Sequence, residues 1–322
     1  MAVDLLVTGG QLVSPREVFP GAVAIDKGKI VAVGDLDHFP EARRRIDVTG
    51  KYVLPGLVDP HIHYHYSERP FGDDARTETQ ASVAGGVTTQ GIYIGLEELP
   101  WDTYFLPRSL QPSQASAPAR PGPKPMDFED YKSAFERNAV ADGFFHVQTS
   151  KALTQQQADK LLEFGITSFK LYPAKAGLND ADILATFRVI QGLRPPALAM
   201  MHCENGTICE LLTDEVMKTG RTDHRAYNDA RPRFAEVEFM SRALYLAQAA
   251  NCPLYIVHIT VGEGPELLAW AKARGVKVMG ETCPQYLTHS SEDAAPLLQA
   301  NPVLTKVNPP LRDRKPWIVE VG

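Results

Sequence analysis

The sequence predicts an α/β protein in which a small all-β unit precedes a parallel (β/α) barrel. Three observations point there. From Val58 onward short apolar runs alternate with helix-like segments, seven such runs share one stretch of chain, and the first 54 residues instead hold short β-rich runs between glycine turns.

The all-β unit is expected over residues 1–54. Residues 4–8, 22–25 and 30–33 read as strands, rich in Val, Ile, Leu and Ala. Asp26-Lys27-Gly28-Lys29 separates two of them. It is a hairpin signal, because a tight turn between twisted strands needs residues that tolerate positive φ. Gly9-Gly10 and Gly34-Asp35 punctuate the rest.

The barrel is expected over residues 55–322, with strands at 57–61, 87–94, 143–147, 167–172, 197–202, 254–258 and 276–281. Runs this continuously apolar suit strands buried on both faces, as in a parallel sheet covered by helices. The clearest helix lies at 234–250, where apolar residues recur at helical spacing. Seven strands in one domain favour a barrel over a doubly wound sheet. Residues 107–125 carry six prolines among serine, alanine and glycine. They read as an irregular surface loop, since the strand–helix rhythm continues on both sides.

Composition narrows the function classes. The chain has 322 residues, 44% hydrophobic and 22% charged, ordinary values for a soluble globular protein. Its formal net charge is −6 with no basic block, so nucleic acid is not an expected partner. Cys203, Cys209, Cys252 and Cys283 form no CxxC pair, which fits a reducing compartment better than a disulfide framework. Met1-Ala2-Val3-Asp4 has no positively charged start of the signal-peptide kind. No apolar run approaches the roughly 20 residues of a membrane span. The expected location is the cytoplasm, with no membrane partner.

The chemistry collects at the strand ends. Asp59-Pro60-His61-Ile62-His63 places two histidines two residues apart. On a strand that spacing aims both imidazoles at one face, where they can share a metal ion. His65 keeps the same parity but reads as a loop residue. His202 and His258 close two further apolar strands. A single such histidine is most simply a hydrogen-bonded core residue. Histidines that end three strands are harder to explain so, because the C-terminal strand ends of a parallel barrel converge on one mouth. Lys170 sits inside the apolar strand Ser168-Phe169-Lys170-Leu171-Tyr172. A buried ammonium is costly, so the amine must lose its proton, find a partner or snorkel out of the strand end. A neutral amine can also add carbon dioxide, and the resulting carbamate is an anionic oxygen ligand able to bridge two cations.

Several ordered segments then resemble one known family. Leu54-Pro55-Gly56-Leu57-Val58-Asp59-Pro60-His61-Ile62-His63 is similar to the opening metal motif of the amidohydrolase superfamily. Gly165-Ile166-Thr167-Ser168-Phe169-Lys170 resembles its carboxylated-lysine strand, and His202-Cys203-Glu204-Asn205-Gly206 the segment that supplies a third histidine. Arg231-Pro232 with Glu236 and Glu238 resembles the stretch that follows, and Val257-His258-Ile259-Thr260 the strand of the fourth histidine. Glu281-Thr282-Cys283-Pro284-Gln285-Tyr286-Leu287 and Asn308-Pro309-Pro310-Leu311-Arg312 resemble late markers of the cyclic amidase branch, the dihydropyrimidinases and hydantoinases. The likeness is collinear over nearly the whole chain.

The resemblance implies a (β/α)8 TIM-type barrel lacking its last strand, with a small N-terminal β-sandwich subdomain. It implies two divalent metal ions, zinc as a rule, about 3.5–4 Å apart. His61 and His63 would share one, His202 and His258 the other, and Lys170, carboxylated by carbon dioxide, would bridge them. A metal-bridging hydroxide would open a cyclic amide ring, a dihydropyrimidine or a hydantoin, with Asn308 as a substrate contact. A homotetramer is implied as well.

The sequence departs from the family pattern in four places. The eighth strand and its catalytic aspartate do not appear before Gly322, and Asp313 follows the Pro-Pro-Leu-Arg marker too soon to serve. On that ground the 322 residues are expected to bind metal yet to be nearly inactive, and robust turnover would point to Glu204 or Glu281 as the proton carrier. Lys175 stands where D-selective hydantoinases carry a tyrosine, with Tyr172 nearby. His65 stands where dihydroorotases carry a carboxylate-binding arginine, although Lys306-Val307-Asn308-Pro309-Pro310-Leu311-Arg312 is closer to dihydroorotases. Pro173 and the 107–125 loop are expected near the barrel mouth. A dihydroorotase or allantoinase-like ring opener and a non-catalytic dihydropyrimidinase-like protein remain the alternatives.

Overall fold

The structure is a computed structural model. It describes residues 2–35, 39–64, 71–95, 128–149, 151–173, 178–221, 223–292 and 306–313. His65, Lys175 and the 107–125 loop lie outside the described residues. The chain divides into two compact units, residues 1–58 with 82–89 and residues 59–81 with 90–322.

The first unit carries a five-stranded sheet of β1 (Val3–Val13), β2 (Val18–Asp26), β3 (Lys29–Gly34), β4 (Ala42–Asp47) and β5 (Tyr52–Val53). The order β3-β2-β1-β4 has β5 beside β1. The β2–β3 hairpin turns at Lys27 and Gly28, with φ of 51° and 73°. Two successive positive values are what a two-residue turn matched to strand twist demands. Val3, Leu6, Ala22 and Ala24 form the small core of the unit.

The second unit is built on a curled, seven-stranded parallel sheet, a half-barrel in the order β12-β11-β10-β9-β8-β7-β6. Its strands are β6 (Leu57–His63), β7 (Val87–Gly95), β8 (Asp142–Thr149), β9 (Ser168–Leu171), β10 (Leu198–Met201), β11 (Leu254–Ile256) and β12 (Val278–Gly280). The interleaved helices are α1 (Phe71–Ala84), α2 (Phe128–Asn138), α3 (Gln155–Glu163), α4 (Asp180–Gly192), α5 (Gly206–Lys218), α6 (His224–Ala230), α7 (Arg233–Ala250), α8 (Glu263–Ala273) and α9 (Pro284–Thr288). Spatial order follows chain order, as right-handed strand–helix–strand crossovers produce.

Helix starts follow local chemistry. Thr154 caps α3 and forms a reciprocal capping box with Gln157, while Asn179 and Asp182 do the same for α4. The helix expected at 234–250 is α7, which ends on the left-handed Asn251 at φ 50°.

Strand parity sorts the sheet into two faces. Phe169, Leu171, Ala199, Met201, Leu254 and Ile256 point to the helical layer. There they pack with Ile183, Phe187 and Ile190 of α4 and with Phe239, Met240, Ala243 and Leu244 of α7. The residues between them, Lys170, Met200 and Tyr255, alternate to the other face and stand in one row, Lys170 opposite Met200 and Met200 opposite Tyr255. The apolar layer therefore fixes the position of Lys170 on the inner face.

Candidate metal centre

The inner face gathers the four strand-end histidines and Lys170. On β6, His61 and His63 lie on one side, with Nε2 atoms 3.2 Å apart. Lys170 Nζ on β9 is 2.9 Å from His61 Nε2 and 4.3 Å from the centre of the Tyr93 ring. His202, directly after β10, places Nδ1 2.8 Å from His258 Nε2. The His61 and His258 rings stack at 5.3 Å and join the two pairs. His258 holds φ at 41°, a left-handed conformation uncommon for a residue with a Cβ and found where surrounding contacts impose it.

Two carboxylates back this cluster. Glu281, the first residue after β12, sets Oε1 in a short contact with His61 Nδ1, and Oε2 accepts from the Tyr255 hydroxyl at 2.9 Å. Glu204 Oε2 lies 2.7 Å from His202 Nε2 and 2.8 Å from Arg231 Nη1. A carboxylate on one ring nitrogen leaves the lone pair on the other, so His61 Nε2 and His202 Nδ1 face the cluster as acceptors. Glu204 Oε1 is buried without a hydrogen-bond partner.

Burial sets the charges. Lys170 is 1% exposed, and loss of water pushes its amine down to about 7 against the pull of Glu281. Desolvation, reinforced by Lys170, drives His61, His63 and His258 well below the ordinary histidine value. His202 is lowered too, although Glu204 opposes the shift. Burial works against a charged Glu204, but Arg231 and the His202 hydrogen bond outweigh it and hold the carboxyl at about 2. Glu281, by contrast, is raised by burial. The imidazoles are thus kept neutral, the form that binds metal.

The surrounding residues are more specific than the sequence shows. Tyr93 of β7 stacks on His63 at 4.9 Å and tilts against His61 at 4.6 Å. A further histidine, His146 of β8, is buried beside it. Its Nε2 faces the Pro60 carbonyl at 3.0 Å and must donate, so its Nδ1 accepts from Ser168 Oγ at 2.6 Å. Both nitrogens are spent on structure. A Cβ on Gly91 would come within 2.7 Å of both that Nε2 and the Pro60 carbonyl, which explains a glycine there. His146 lies in an expected strand, but nothing in its local sequence separates it from an ordinary core residue.

Asn308 joins the surroundings through tyrosines. It donates from Nδ2 to the Tyr172 hydroxyl at 2.7 Å and accepts from Tyr227 at 3.0 Å. The Tyr172 ring stacks on His202 at 4.1 Å. Arg312 pairs with the buried Glu236 at 2.8 Å and donates to Thr260 Oγ1, at the same distance. Asp313 accepts from Ser291 Oγ at 2.6 Å. Pro173 is buried.

No family model matches the chain. It is 30% identical over 317 residues to an allantoinase of Desulfitobacterium hafniense, covering 96% of this chain and 64% of that protein. Its fold matches the solved dihydropyrimidinase from Brevibacillus agri with a TM-score of 0.77 and 27% identity, over 96% of this chain and 63% of that one. A solved D-hydantoinase matches with a TM-score of 0.77 and 26% identity, over 97% and 64%. These allantoinase, dihydropyrimidinase and hydantoinase likenesses indicate the cyclic amidase group of the amidohydrolase superfamily. The chain spans just under two thirds of the length of these cyclic amidases.

Cyclic amidases are metal-dependent amidohydrolases, and the donor set fits that chemistry. Two nitrogens on a tetrahedral zinc at about 2.0–2.1 Å stand about 3.3 Å apart, close to the His61–His63 separation. Neutral rings, each pair backed by a carboxylate, match the carboxylate–histidine arrangement of metal sites. The His202–His258 pair is drawn closer, as a hydrogen bond. Among the described residues no group of three or more His, Cys, Asp and Glu is spaced as a ready-made cage. Nor does any helix among them have the length and apolarity to cross a membrane.

Proposed function

We propose that this chain carries the metal centre of a cyclic amide hydrolase. The observation behind the reading is the convergence of His61, His63, His202, His258 and Lys170 on the inner face of the half-barrel. His61 and His63 would hold one divalent ion and His202 and His258 a second, both zinc, with a carboxylated Lys170 as a further oxygen ligand. Such ions would supply Lewis acidity toward an amide carbonyl and a hydroxide near neutral pH. The chain's own part is to hold neutral imidazoles in fixed tautomers and to keep the Lys170 amine buried, where carbon dioxide can react with its neutral form.

The substrate of this reading is a small cyclic amide, a dihydropyrimidine or a hydantoin, with Asn308 and Tyr172 beside His202 to position the ring. Allantoin is the second candidate, favoured by the relatives that carry the name allantoinase. A homotetramer in the cytoplasm belongs to the same reading. Among the described residues the carboxylates that touch the histidines are already engaged, Glu204 with Arg231 and Glu281 with Tyr255. A positioned general acid–base is worth about 10²–10⁴-fold, so turnover by these 322 residues is expected to be slow by that factor.

The test combines metal analysis with assays. Protein grown with zinc is expected to hold up to two ions per chain and to open hydantoin, dihydrouracil or allantoin slowly, with His202→Asn losing both properties. A wild-type chain that takes up no divalent metal refutes the reading. Preference for dihydroorotate would replace the substrate class.

A further inference from the structure

Glu281 touches more of the cluster than any backing a single histidine would need. Its Oε1 meets His61 Nδ1 and accepts from the His258 backbone N–H at 3.3 Å, while Oε2 is held by Tyr255. The backbone of residue 281 is pinned on both sides, by its own N–H to Ile256 O at 3.0 Å and by Ile259 N–H to its carbonyl at 2.8 Å. Thr282 Oγ1 adds a bond to Ile259 O at 2.7 Å. The carboxylate is therefore fixed in place before it meets either histidine.

The geometry points to Glu281 as the positioning residue that presents His61 and His258 together to one cation-binding centre. The inference rests on the metal-centre reading above. Its physical content is twofold. A carboxylate at His61 Nδ1 requires the proton on that nitrogen, which leaves Nε2 bare toward Lys170 and His63. The same oxygen takes the N–H of His258, whose left-handed backbone turns the chain at the end of β11 and sends the ring back toward His202 and His61. One side chain thus sets the tautomer of one imidazole and the backbone of another, the first on β6 at one end of the sheet order and the second after β11, next to the strand at the other end.

The experiment uses the full 322-residue chain with Co²⁺ as the probe. Glu281→Gln keeps the size of the side chain but can donate to Nδ1 and reverse the tautomer. Glu281→Asp keeps the charge. Glu281→Gln is expected to lose about 10- to 100-fold in cobalt affinity, the usual effect of removing an outer partner of a metal-bound histidine, and to change the cobalt absorption spectrum. Glu281→Asp should recover part of both. In the metal-free protein, ¹⁵N NMR should show His61 protonated at Nδ1 in the wild type and not in Glu281→Gln. Thermal melts of both variants check that they fold. Wild-type affinity, an unchanged cobalt spectrum and an unchanged His61 tautomer in Glu281→Gln would overturn the inference. A wild-type chain that binds no cobalt overturns the metal-centre reading instead, and the ¹⁵N signal still decides the role of Glu281.

Discussion

Arg231 Nη1 stands 2.8 Å from Glu204 Oε2, the oxygen that also accepts a hydrogen bond from His202 Nε2 at 2.7 Å. One guanidinium thereby keeps charged a carboxylate that is fully buried, and that carboxylate sets the tautomer of a candidate ligand. Arg231→Met would leave Glu204 buried without its cation. The expected cost is about 3–5 kcal/mol in urea melts, the range for breaking a buried ion pair from one side. Arg231→Met with Glu204→Gln should recover part of that loss, because the uncompensated charge is gone. A single Arg231→Met variant as stable as wild type would show that the pair is not holding the carboxylate.

Lys170 is the residue whose chemistry goes furthest beyond its local sequence. Lys170→Ala is expected to lose bound zinc and to fold normally, since the replaced side chain points away from the apolar layer. Acetate or propionate at millimolar concentration should restore part of the metal by filling the place that carbamate oxygens on Lys170 would take. Elemental analysis with and without the acid checks this. Unchanged zinc in Lys170→Ala would remove the lysine from the centre.

Phe169 and Lys170 are adjacent and do opposite things. Phe169 is fully buried among the residues under α4 and α7. Phe169→Ala should cost about 3–5 kcal/mol, the range for deleting a buried aromatic ring. Because the same strand carries Lys170, the variant should also bind cobalt more weakly. A melting temperature close to wild type would mean that the layer refills the cavity.

His146 gives a pH dependence. Burial pushes its ring down to about 4 from the ordinary 6.5. The unfolded chain therefore takes up this proton first as pH falls. The stability tied to the neutral ring is fully present above about pH 6.5 and is lost as the pH drops toward about 4. A shift of that size corresponds to about 3 kcal/mol. His146→Gln should flatten the fall in stability between pH 6.5 and 4.5, measured with chelator present so that metal release does not contribute. An unchanged slope would place the acid sensitivity in the other histidines.

Much of this arrangement was legible in the sequence, and the physical reasons are local. Apolar runs and glycine turns mark strands because burial and backbone geometry act on neighbouring residues. The Lys27-Gly28 hairpin, α7 and the strand of Lys170 follow from that. His61 and His63 share a face because strand parity is a period of two. What the sequence hides is contact across the sheet. Glu281 appeared there as a family marker and as a conceivable proton carrier, not as the partner of His61, since no spacing rule relates two residues brought together by the curl of a sheet. His146 and Tyr93 were hidden for the same reason. The strand expected at 276–281 is shorter in the structure, Val278–Gly280, so Glu281 falls in the turn after it, where its side chain can reach His61.

The meeting of His61 with Glu281 spans 220 residues of chain and joins strands at the two ends of the sheet order. Local β–α pieces can form as soon as their own residues leave the ribosome, but a contact of this range waits for everything between. The ring of His61 therefore gains its carboxylate only when the last strand of the half-barrel has docked. Any species stalled with that strand undocked would have its apolar layers largely in place and its histidines without a fixed tautomer. Cobalt colour would then serve as a clock for the final step of assembly, appearing after the helical signal in a refolding experiment rather than with it.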